Sequence, residues 1–292
     1  MTLLHGKGRV IARYGAEFEI STDQKKIIIA KGRNKHRDVV CGDFVSWKEE
    51  TTGSYALVDM LPRKNALSRS GFRGQSRTLA ANIDQVIIVT APEPRPDWEV
   101  VDQLLIVAKQ LNTNSLILHH KSDLPADDAM QKEWKYFRGI GYQVLETSIN
   151  DSESIKNLEK LLANKTNILV GQSGVGKSSL AQKILKDAKI KIGEVSKATQ
   201  FGQHTTSVTR LYDLPDEGYL IDSPGIRDFT PDNLNLNAIH NGFIEIAKLS
   251  AQCRFHNCQH VNEPDCAVKN AVENGSINKR RYMNYLKLLE VD

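Results

Sequence analysis

A glycine-rich loop carries the clearest chemical pattern in the chain. Residues 171–178 match the pattern G-x-x-x-x-G-K-S, in which backbone N–H groups close around phosphate oxygens at the start of a helix. In such a loop Lys177 reaches the β- and γ-phosphates, and the Ser178 hydroxyl binds Mg²⁺. The pattern predicts a nucleoside triphosphate site in which Lys177 also serves catalysis. The predicted contacts are Gly171, Gln172, Ser173, Gly174, Val175, Gly176, Lys177, Ser178 and Ser179.

A short polar segment is the candidate for reading the base. Its residues, all predicted to bind the nucleotide, are His120, Lys121, Ser122 and Asp123. The Asp123 carboxylate accepts two hydrogen bonds, which suits the adjacent N1–H and N2–H₂ donors of guanine. Adenine lacks this donor pair and would leave the charge unpaired. Taken alone the segment also fits a surface turn, but its combination with the phosphate loop favours a guanine nucleotide.

Two downstream segments complete the predicted magnesium site. Asp222 follows the apolar run 218–221 and is placed to hold Mg²⁺ through a water, while the Gly225 N–H can meet the γ-phosphate. The polar stretch 202–206 lies between the phosphate loop and Asp222, and we expect its Thr206 to join Ser178 and Asp222 around the metal. A loop that is ordered by γ-phosphate and Mg²⁺ and released after hydrolysis acts as a switch.

His204 is the predicted catalytic side chain of this switch. The commonest GTPases place a glutamine after the glycine that corresponds to Gly225, and this glutamine orients the attacking water. Ile226 stands there instead and cannot do so. His204 is the nearest polar candidate, with Arg227 a weaker option. A lone histidine is more often a surface or core residue, so this role rests on the position of His204 in the loop.

Four soft or borderline metal ligands lie within fourteen residues near the C-terminus: Cys253, Cys258, His260 and Cys266. The set suits tetrahedral Zn²⁺ in a structural role, because four protein ligands leave no open position for chemistry. The intervening residues are mostly polar, so the metal would supply stability that an apolar core does not. A disulfide is the main alternative, but the fourth cysteine, Cys41, is distant. His256 is an alternative to His260 as ligand.

Short apolar runs precede the nucleotide motifs, as an α/β sheet requires. Residues 115–119, 167–170 and 218–221 are strand-like, and residues 179–185 show helical spacing. Ligands bind at the carboxyl ends of such strands, so the motifs should meet at one edge of the sheet. The base motif comes before the phosphate loop, the reverse of an ordinary GTPase. A circular permutation allows this order when the original termini lie close together.

The N-terminal 66 residues have the pattern of a small β-barrel. Five short strand-like runs alternate with turns, which is typical of an OB-fold. Six basic residues and no acidic residue fall between positions 25 and 37. They fit either an RNA-binding surface or a solvated basic face. The basic tail at 279–281 likewise fits an RNA-contacting helix or a solvated one.

The chain resembles the circularly permuted GTPases of the ribosome small subunit-dependent GTPase A family, also called RsgA or YjeQ. The resemblance spans nearly the whole chain and rests on residues 171–179, 202–206 and 222–225 and the cysteine cluster. The resemblance implies an OB-fold, a contact of Ser148 with the guanine base, and His260 as the fourth zinc ligand. It also implies binding to the small ribosomal subunit and its rRNA. Two positions depart from the family pattern: His120 replaces the usual asparagine, and residues 147–149 replace a Ser-Ala pair.

These observations predict a multidomain protein. An all-β OB-fold barrel would span residues 1–66, an α/β circularly permuted P-loop GTPase 67–232, and a mostly helical zinc-binding domain 233–292. The resemblance implies subunit-stimulated GTP hydrolysis in late maturation of the small ribosomal subunit, with release after hydrolysis. A P-loop ATPase and an RNA-binding adaptor with a vestigial nucleotide site are the alternatives. Free thiols and the absence of a signal-like or membrane-spanning apolar stretch predict a cytoplasmic protein, by default a monomer.

Overall fold

Five strands at the N-terminus close into a barrel. The computed structural model describes residues 4–51, 53–70, 76–187, 208–227, 229, 231 and 234–289. The barrel strands are β1 (His5–Tyr14), β2 (Glu17–Thr22), β3 (Ile27–Lys31), β4 (Phe44–Thr51) and β5 (Ser54–Met60). They follow the order β1-β2-β3-β5-β4, and β4 pairs back onto β1. Alternate side chains of β3 are buried, so one face of the strand fills the barrel interior. The predicted barrel is confirmed.

The centre of the chain forms a sheet with helices on both faces. Its strands are β8 (Gln85–Thr90), β9 (Asn114–His120), β10 (Gln143–Thr147), β11 (Thr166–Val170), β12 (Arg210–Asp213) and β13 (Tyr219–Asp222). Their order is β10-β9-β8-β11-β13-β12, with β12 antiparallel to its neighbour and the other strands parallel. Every residue of β8 and β11 is buried, and their apolar residues, 86–89 and 168–170, form uninterrupted runs.

Five helices of the described residues accompany this sheet. They are α1 (Trp98–Gln110), α2 (Asp128–Ile140), α3 (Ser152–Leu162), α4 (Lys177–Asp187) and the short α5 (Pro224–Arg227). Helices α1, α2 and α3 each begin after an aspartate whose carboxylate accepts backbone N–H groups of the first turn: Asp97, Asp127 and Asp151. Helix α2 ends at Gly141, whose φ of 110° is the left-handed conformation that glycine adopts without strain.

The barrel and the central sheet are joined edge to edge. Ala12 of β1 pairs with Arg210 of β12, so one sheet of eleven strands runs through both parts. Arg9 crosses the junction and donates to the backbone oxygen of Asn82 at 3.3 Å and to Thr166 Oγ1 at 2.8 Å. A hairpin of β6 (Ala66–Ser70) and β7 (Ser76–Ala81) lies between the two parts in sequence. The boundaries at 66 and 232 stay predictions.

Four helices form the C-terminal part of the chain as far as the structure describes it, from 234 to 289. They are α6 (Leu236–Gly242), α7 (Ile244–Ser250), α8 (Ala267–Glu273) and α9 (Lys279–Leu289). Their shared core includes Phe243 and Tyr285, and it also includes Ile106 of α1. A Cβ on Gly242 would lie 2.5 Å from Ile106 Cγ1, so glycine is needed for this close approach. The C-terminal helices are therefore packed directly on the central part.

A buried ionic network strengthens that contact. Asp102 of α1 is fully enclosed and accepts from Arg280 Nη1 at 2.7 Å and from Arg281 Nη1 at 2.5 Å. Asn284 Nδ2 donates to the same carboxylate at 2.9 Å. Arg281 also pairs with Glu245 of α7 and lies over the Phe243 ring. Both arginines of the basic tail therefore pair with carboxylates across this contact, and Arg281 is fully buried, so it cannot serve an RNA-binding surface.

Across the part of the chain that the structure describes, no helix combines the length and apolar character needed to span a bilayer.

Candidate nucleotide and metal sites

The phosphate loop connects β11 to α4, as the sequence predicted. Gly171, Gly174 and Gly176 have φ values of 137°, 83° and 99°, a region that side chains other than glycine rarely adopt. A Cβ on Gly171 would lie 2.4 Å from the Val89 carbonyl oxygen of the neighbouring strand. Lys177 Nζ is buried and donates to the carbonyl oxygens of Gly171 at 2.7 Å and Gln172 at 2.6 Å. The lysine is thus held within the loop beside the predicted phosphate position.

A proline-rich connection between β8 and α1 packs against the phosphate loop. The Asp97 N–H donates to Gln172 Oε1 at 3.1 Å, and a Cβ on Gly174 would lie 3.4 Å from Pro94 Cδ. Lys121 Nζ ties both segments to the base-reading loop, donating to the carbonyl oxygens of Glu93 at 2.7 Å and Gly174 at 3.0 Å. Sequence reasoning missed this connection. The usable signal in the sequence was the apolar run 86–89 just before 91–97, because ligand-binding loops follow such strands.

Asp123 lies in the loop that follows β9 and is exposed. Hydrogen bonding from the Ser148 side chain, from the backbone of Asp123 and from Asn150 keeps the pKa of its carboxyl below the ordinary aspartate value. Asn150 Nδ2 donates to Asp123 Oδ2 at 3.2 Å. The Ser122 N–H donates to the Thr147 carbonyl oxygen at 3.1 Å. The loops at 120–123 and 147–150 are thereby joined, and they present an ionised carboxylate to solvent.

His120 is buried between these loops and the phosphate loop. Its Nδ1 lies 3.0 Å from Thr147 Oγ1. On the other side, its Cδ2 would lie 2.9 Å from a Cβ on Gly176. Burial, with the nearby Lys121 charge, lowers the pKa of His120 to about 4, so the imidazole is neutral at physiological pH. His120 therefore fills a packed position under the site, where a charged ring would be disfavoured.

The predicted magnesium and switch residues are only partly within the described residues. Asp222 is the last residue of β13, which runs parallel to β11 with Ile221 opposite Ile168. Its carboxylate therefore lies at the same edge of the sheet as Ser178 in the first turn of α4. Gly225 lies in α5, and Ile226 is buried in the core beneath it. His204 and Thr206, with the rest of 202–206, lie outside the described residues.

The cysteine cluster forms a compact four-ligand set, as predicted. One ligand atom from each of Cys253, Cys258, His260 and Cys266 lies within 4.8 Å of all the others. Cys253 Sγ is 3.9 Å from Cys266 Sγ, and His260 Nδ1 is 3.5 Å and 3.4 Å from those two sulfurs. A tetrahedron with Zn–S of about 2.3 Å and Zn–N of about 2.0 Å has edges of roughly 3.8 and 3.5 Å.

These distances fit structural zinc. The cysteines are not in disulfides, which removes the main alternative. The structure also decides between the two histidines, because His256 is exposed and His260 completes the cluster. Of the four ligands, Cys258, His260 and Cys266 are buried, so the set is closed by protein atoms, as expected of a structural site.

Comparison with known proteins decides the family. A family model described as RsgA GTPase matches residues 60–231. The small ribosomal subunit biogenesis GTPase RsgA of Actinobacillus pleuropneumoniae serotype 5b (strain L20) is 38% identical over 291 residues, covering 97% of this chain and 85% of the relative. The chain belongs to the RsgA GTPase family.

Two solved structures extend the RsgA likeness to the whole fold. YjeQ from Thermotoga maritima has a TM-score of 0.77 and 29% identity, covering 98% of this chain and 97% of that one. YloQ, described as a circularly permuted GTPase, has a TM-score of 0.73 and 25% identity, covering 98% and 94%. The coverage includes the barrel and the C-terminal helices. The predicted three-part fold of this RsgA-family chain, with its permuted motif order, is confirmed.

Proposed function

We propose that this protein is a cytoplasmic GTP hydrolase that assists the biogenesis of the small ribosomal subunit and leaves the subunit after hydrolysis. The names of its relatives support the proposal, since several are called small ribosomal subunit biogenesis GTPase RsgA. The proposal depends on one observed contact: the Lys121 ammonium group donates to the Gly174 carbonyl oxygen at 3.0 Å. This contact joins the base-reading loop to the phosphate loop, as a single bound nucleotide requires.

Each side of the site has a defined part in binding. The ionised Asp123 carboxylate accepts from N1–H and N2–H₂ of guanine, with Ser148 and Asn150 orienting it. The backbone N–H groups of 171–179 bind the phosphates, and Lys177 neutralises charge on the β- and γ-phosphates. Ser178, Asp222 and Thr206 are the proposed holders of Mg²⁺. The bound ion would polarise the γ-phosphate oxygens and offset the charge that develops there.

The barrel surface supports the proposed contact with rRNA. The basic side chains between positions 25 and 37 are all exposed: Lys25, Lys26, Lys31, Arg33, Lys35 and Arg37. Lys35 pairs with Asp59 at 2.7 Å, with both side chains largely in solvent, so this pair is weak and can open. An exposed row of cations on a barrel can neutralise phosphates along a nucleic-acid backbone.

A hydrolysis assay separates this function from its two alternatives. We expect the purified protein to hydrolyse GTP and not ATP, and small ribosomal subunits to raise the GTP rate about tenfold or more. Phosphate release would be measured with each nucleotide, with and without subunits, using large subunits as the matched control. Hydrolysis of ATP at an equal rate would favour the P-loop ATPase. Subunit binding without any hydrolysis would favour the adaptor with a vestigial site.

His204 is the proposed side chain that positions the attacking water. Ile226 is apolar and buried in the core, so it cannot take the place of the glutamine found in other GTPases. We expect His204→Ala to lower the GTP turnover number by about 100-fold, because it removes a positioned polar group at the reacting water. Single-turnover hydrolysis and equilibrium binding would be measured side by side, and binding should stay near wild type. Normal turnover by this variant would remove His204 from the mechanism.

A further inference from the structure

The two nitrogens of His260 face different partners. Nδ1 points into the cysteine cluster, 3.5 Å from Cys253 Sγ and 3.4 Å from Cys266 Sγ. Nε2 points away from the cluster and lies 2.9 Å from the hydroxyl oxygen of Ser250, the last residue of α7. Only Nδ1 is therefore placed to bind the metal, and it binds only if its lone pair is free.

The hydrogen bonds of Ser250 settle which nitrogen carries the proton. Ser250 Oγ donates its single hydrogen to the Ile246 carbonyl oxygen, one turn back in α7, at 2.8 Å. A hydroxyl has one hydrogen to give, so toward His260 the Ser250 oxygen accepts. Nε2 must then be the protonated nitrogen, which leaves Nδ1 with its lone pair directed at the cluster. The carbonyl of a rigid helix thus orients the imidazole through one hydroxyl.

The backbone of His260 is held just as firmly from the other side. His260 has a φ of 64°, a conformation that costs energy for a residue other than glycine. Its carbonyl oxygen accepts from Tyr282 Oη at 2.7 Å, and the preceding carbonyl, that of Gln259, accepts from Tyr285 Oη at 3.2 Å. Both tyrosines belong to α9. With the main chain fixed, the remaining freedom of His260 is the rotation and tautomer of its ring, which Ser250 controls.

We infer that Ser250 is a positioning residue of the zinc site, which fixes His260 as an Nδ1 ligand in the correct tautomer. Partners that orient a metal-binding histidine typically contribute 10- to 100-fold to metal affinity. The inference concerns the cysteine cluster alone and does not depend on nucleotide hydrolysis. Its failure would leave the proposed function untouched, because no step of the test uses a nucleotide.

The test measures zinc affinity of the full-length protein by competition with a colorimetric chelator. Ser250→Ala is expected to bind zinc about 10- to 100-fold more weakly than wild type, because the imidazole loses its acceptor. Ser250→Thr keeps a hydroxyl and should restore affinity to near the wild-type value. Ser276→Ala removes an exposed hydroxyl from the same part of the chain and should change nothing. Alanine is a good helix former, so the Ser250→Ala variant should fold.

Cobalt substitution adds a readout that depends on ligand geometry. Co²⁺ bound in place of zinc absorbs visible light according to its ligands and their arrangement. We expect the Co²⁺ spectrum of Ser250→Ala to differ from wild type, and that of Ser250→Thr to match it. Zinc affinity of Ser250→Ala within about twofold of wild type, together with an unchanged Co²⁺ spectrum, would overturn the inference. Equal loss of affinity in Ser250→Ala and Ser250→Thr would also overturn it.

Discussion

The Asp123→Asn variant is expected to lose affinity for guanine nucleotides and to gain affinity for xanthine nucleotides. Asn keeps one acceptor oxygen but replaces the other with an N–H₂ group, which would face the N2–H₂ donor of guanine. Two donors then oppose each other, and GTP affinity should fall on the order of 1,000-fold or more. Xanthine carries a carbonyl oxygen in place of N2, so it accepts from the new N–H₂ while its N1–H still donates.

The measurement is equilibrium binding of fluorescent guanosine and xanthosine diphosphates to wild type and variant. Asp127→Asn is a matched control, because Asp127 is exposed and caps α2 only four residues further along. Asparagine caps helices as well as aspartate does, so the control should bind GDP normally. If Asp123→Asn kept wild-type affinity for GDP, the base would have to bind elsewhere, and the assignment of the site would be wrong.

Removal of the buried Asp102 carboxylate should cause the largest loss of stability. Asp102→Ala leaves Arg281, which is fully buried, without one of its two carboxylate partners, and it takes a partner from Arg280 as well. Breaking one side of a buried ion pair typically costs about 3–5 kcal/mol, because the remaining charge is no longer compensated. We expect a drop of that order in the free energy of unfolding, measured by urea denaturation followed through tryptophan fluorescence.

Glu99 offers a control on the same two helices. It pairs with Lys287 of α9, as Asp102 pairs with Arg280 and Arg281, but both partners of this pair are about half exposed. Exposed pairs contribute about 0–1 kcal/mol, so Glu99→Ala should change stability little. Equal, small losses in both variants would show that packing around Ile106, and not the ionic network, holds the C-terminal helices in place.

The places of the nucleotide motifs in the fold could be predicted because each motif has a local cause. The glycines at 171, 174 and 176 are required by positive φ angles. Asp123 lies three residues after the end of β9, and Asp222 is the last residue of β13. Residues that act through neighbours in sequence can be found from sequence alone. The roles of His204 and Thr206 stay predictions, since both lie outside the described residues.

The contact between the central and C-terminal parts had no such local cause. Arg280 and Asp102 are 178 residues apart, and the sequence around Arg280 is a plain basic run, which fits solvent, RNA or a buried carboxylate equally well. Only the tertiary packing shows which of these three partners Arg280 has. The same holds for Lys121, whose partners are carbonyl oxygens of Glu93 and Gly174. Main-chain acceptors are present at every residue, so no side-chain pattern could have pointed to these two.

The pairing of β1 with β12, which joins the barrel to the central sheet, affects how the chain can fold while it is being synthesised. Tyr14 of β1 and Arg210 at the start of β12 are 196 residues apart, yet their side chains are in contact. β5, the last barrel strand, ends at Met60, so at a translation rate of 5–20 residues per second the completed barrel precedes Arg210 by roughly 8 to 30 s. During this interval the β1 edge and Glu19, later paired with Arg210 at 2.8 Å, face water. A barrel that folds during synthesis would therefore do so with this flank open, before β12 pairs with β1.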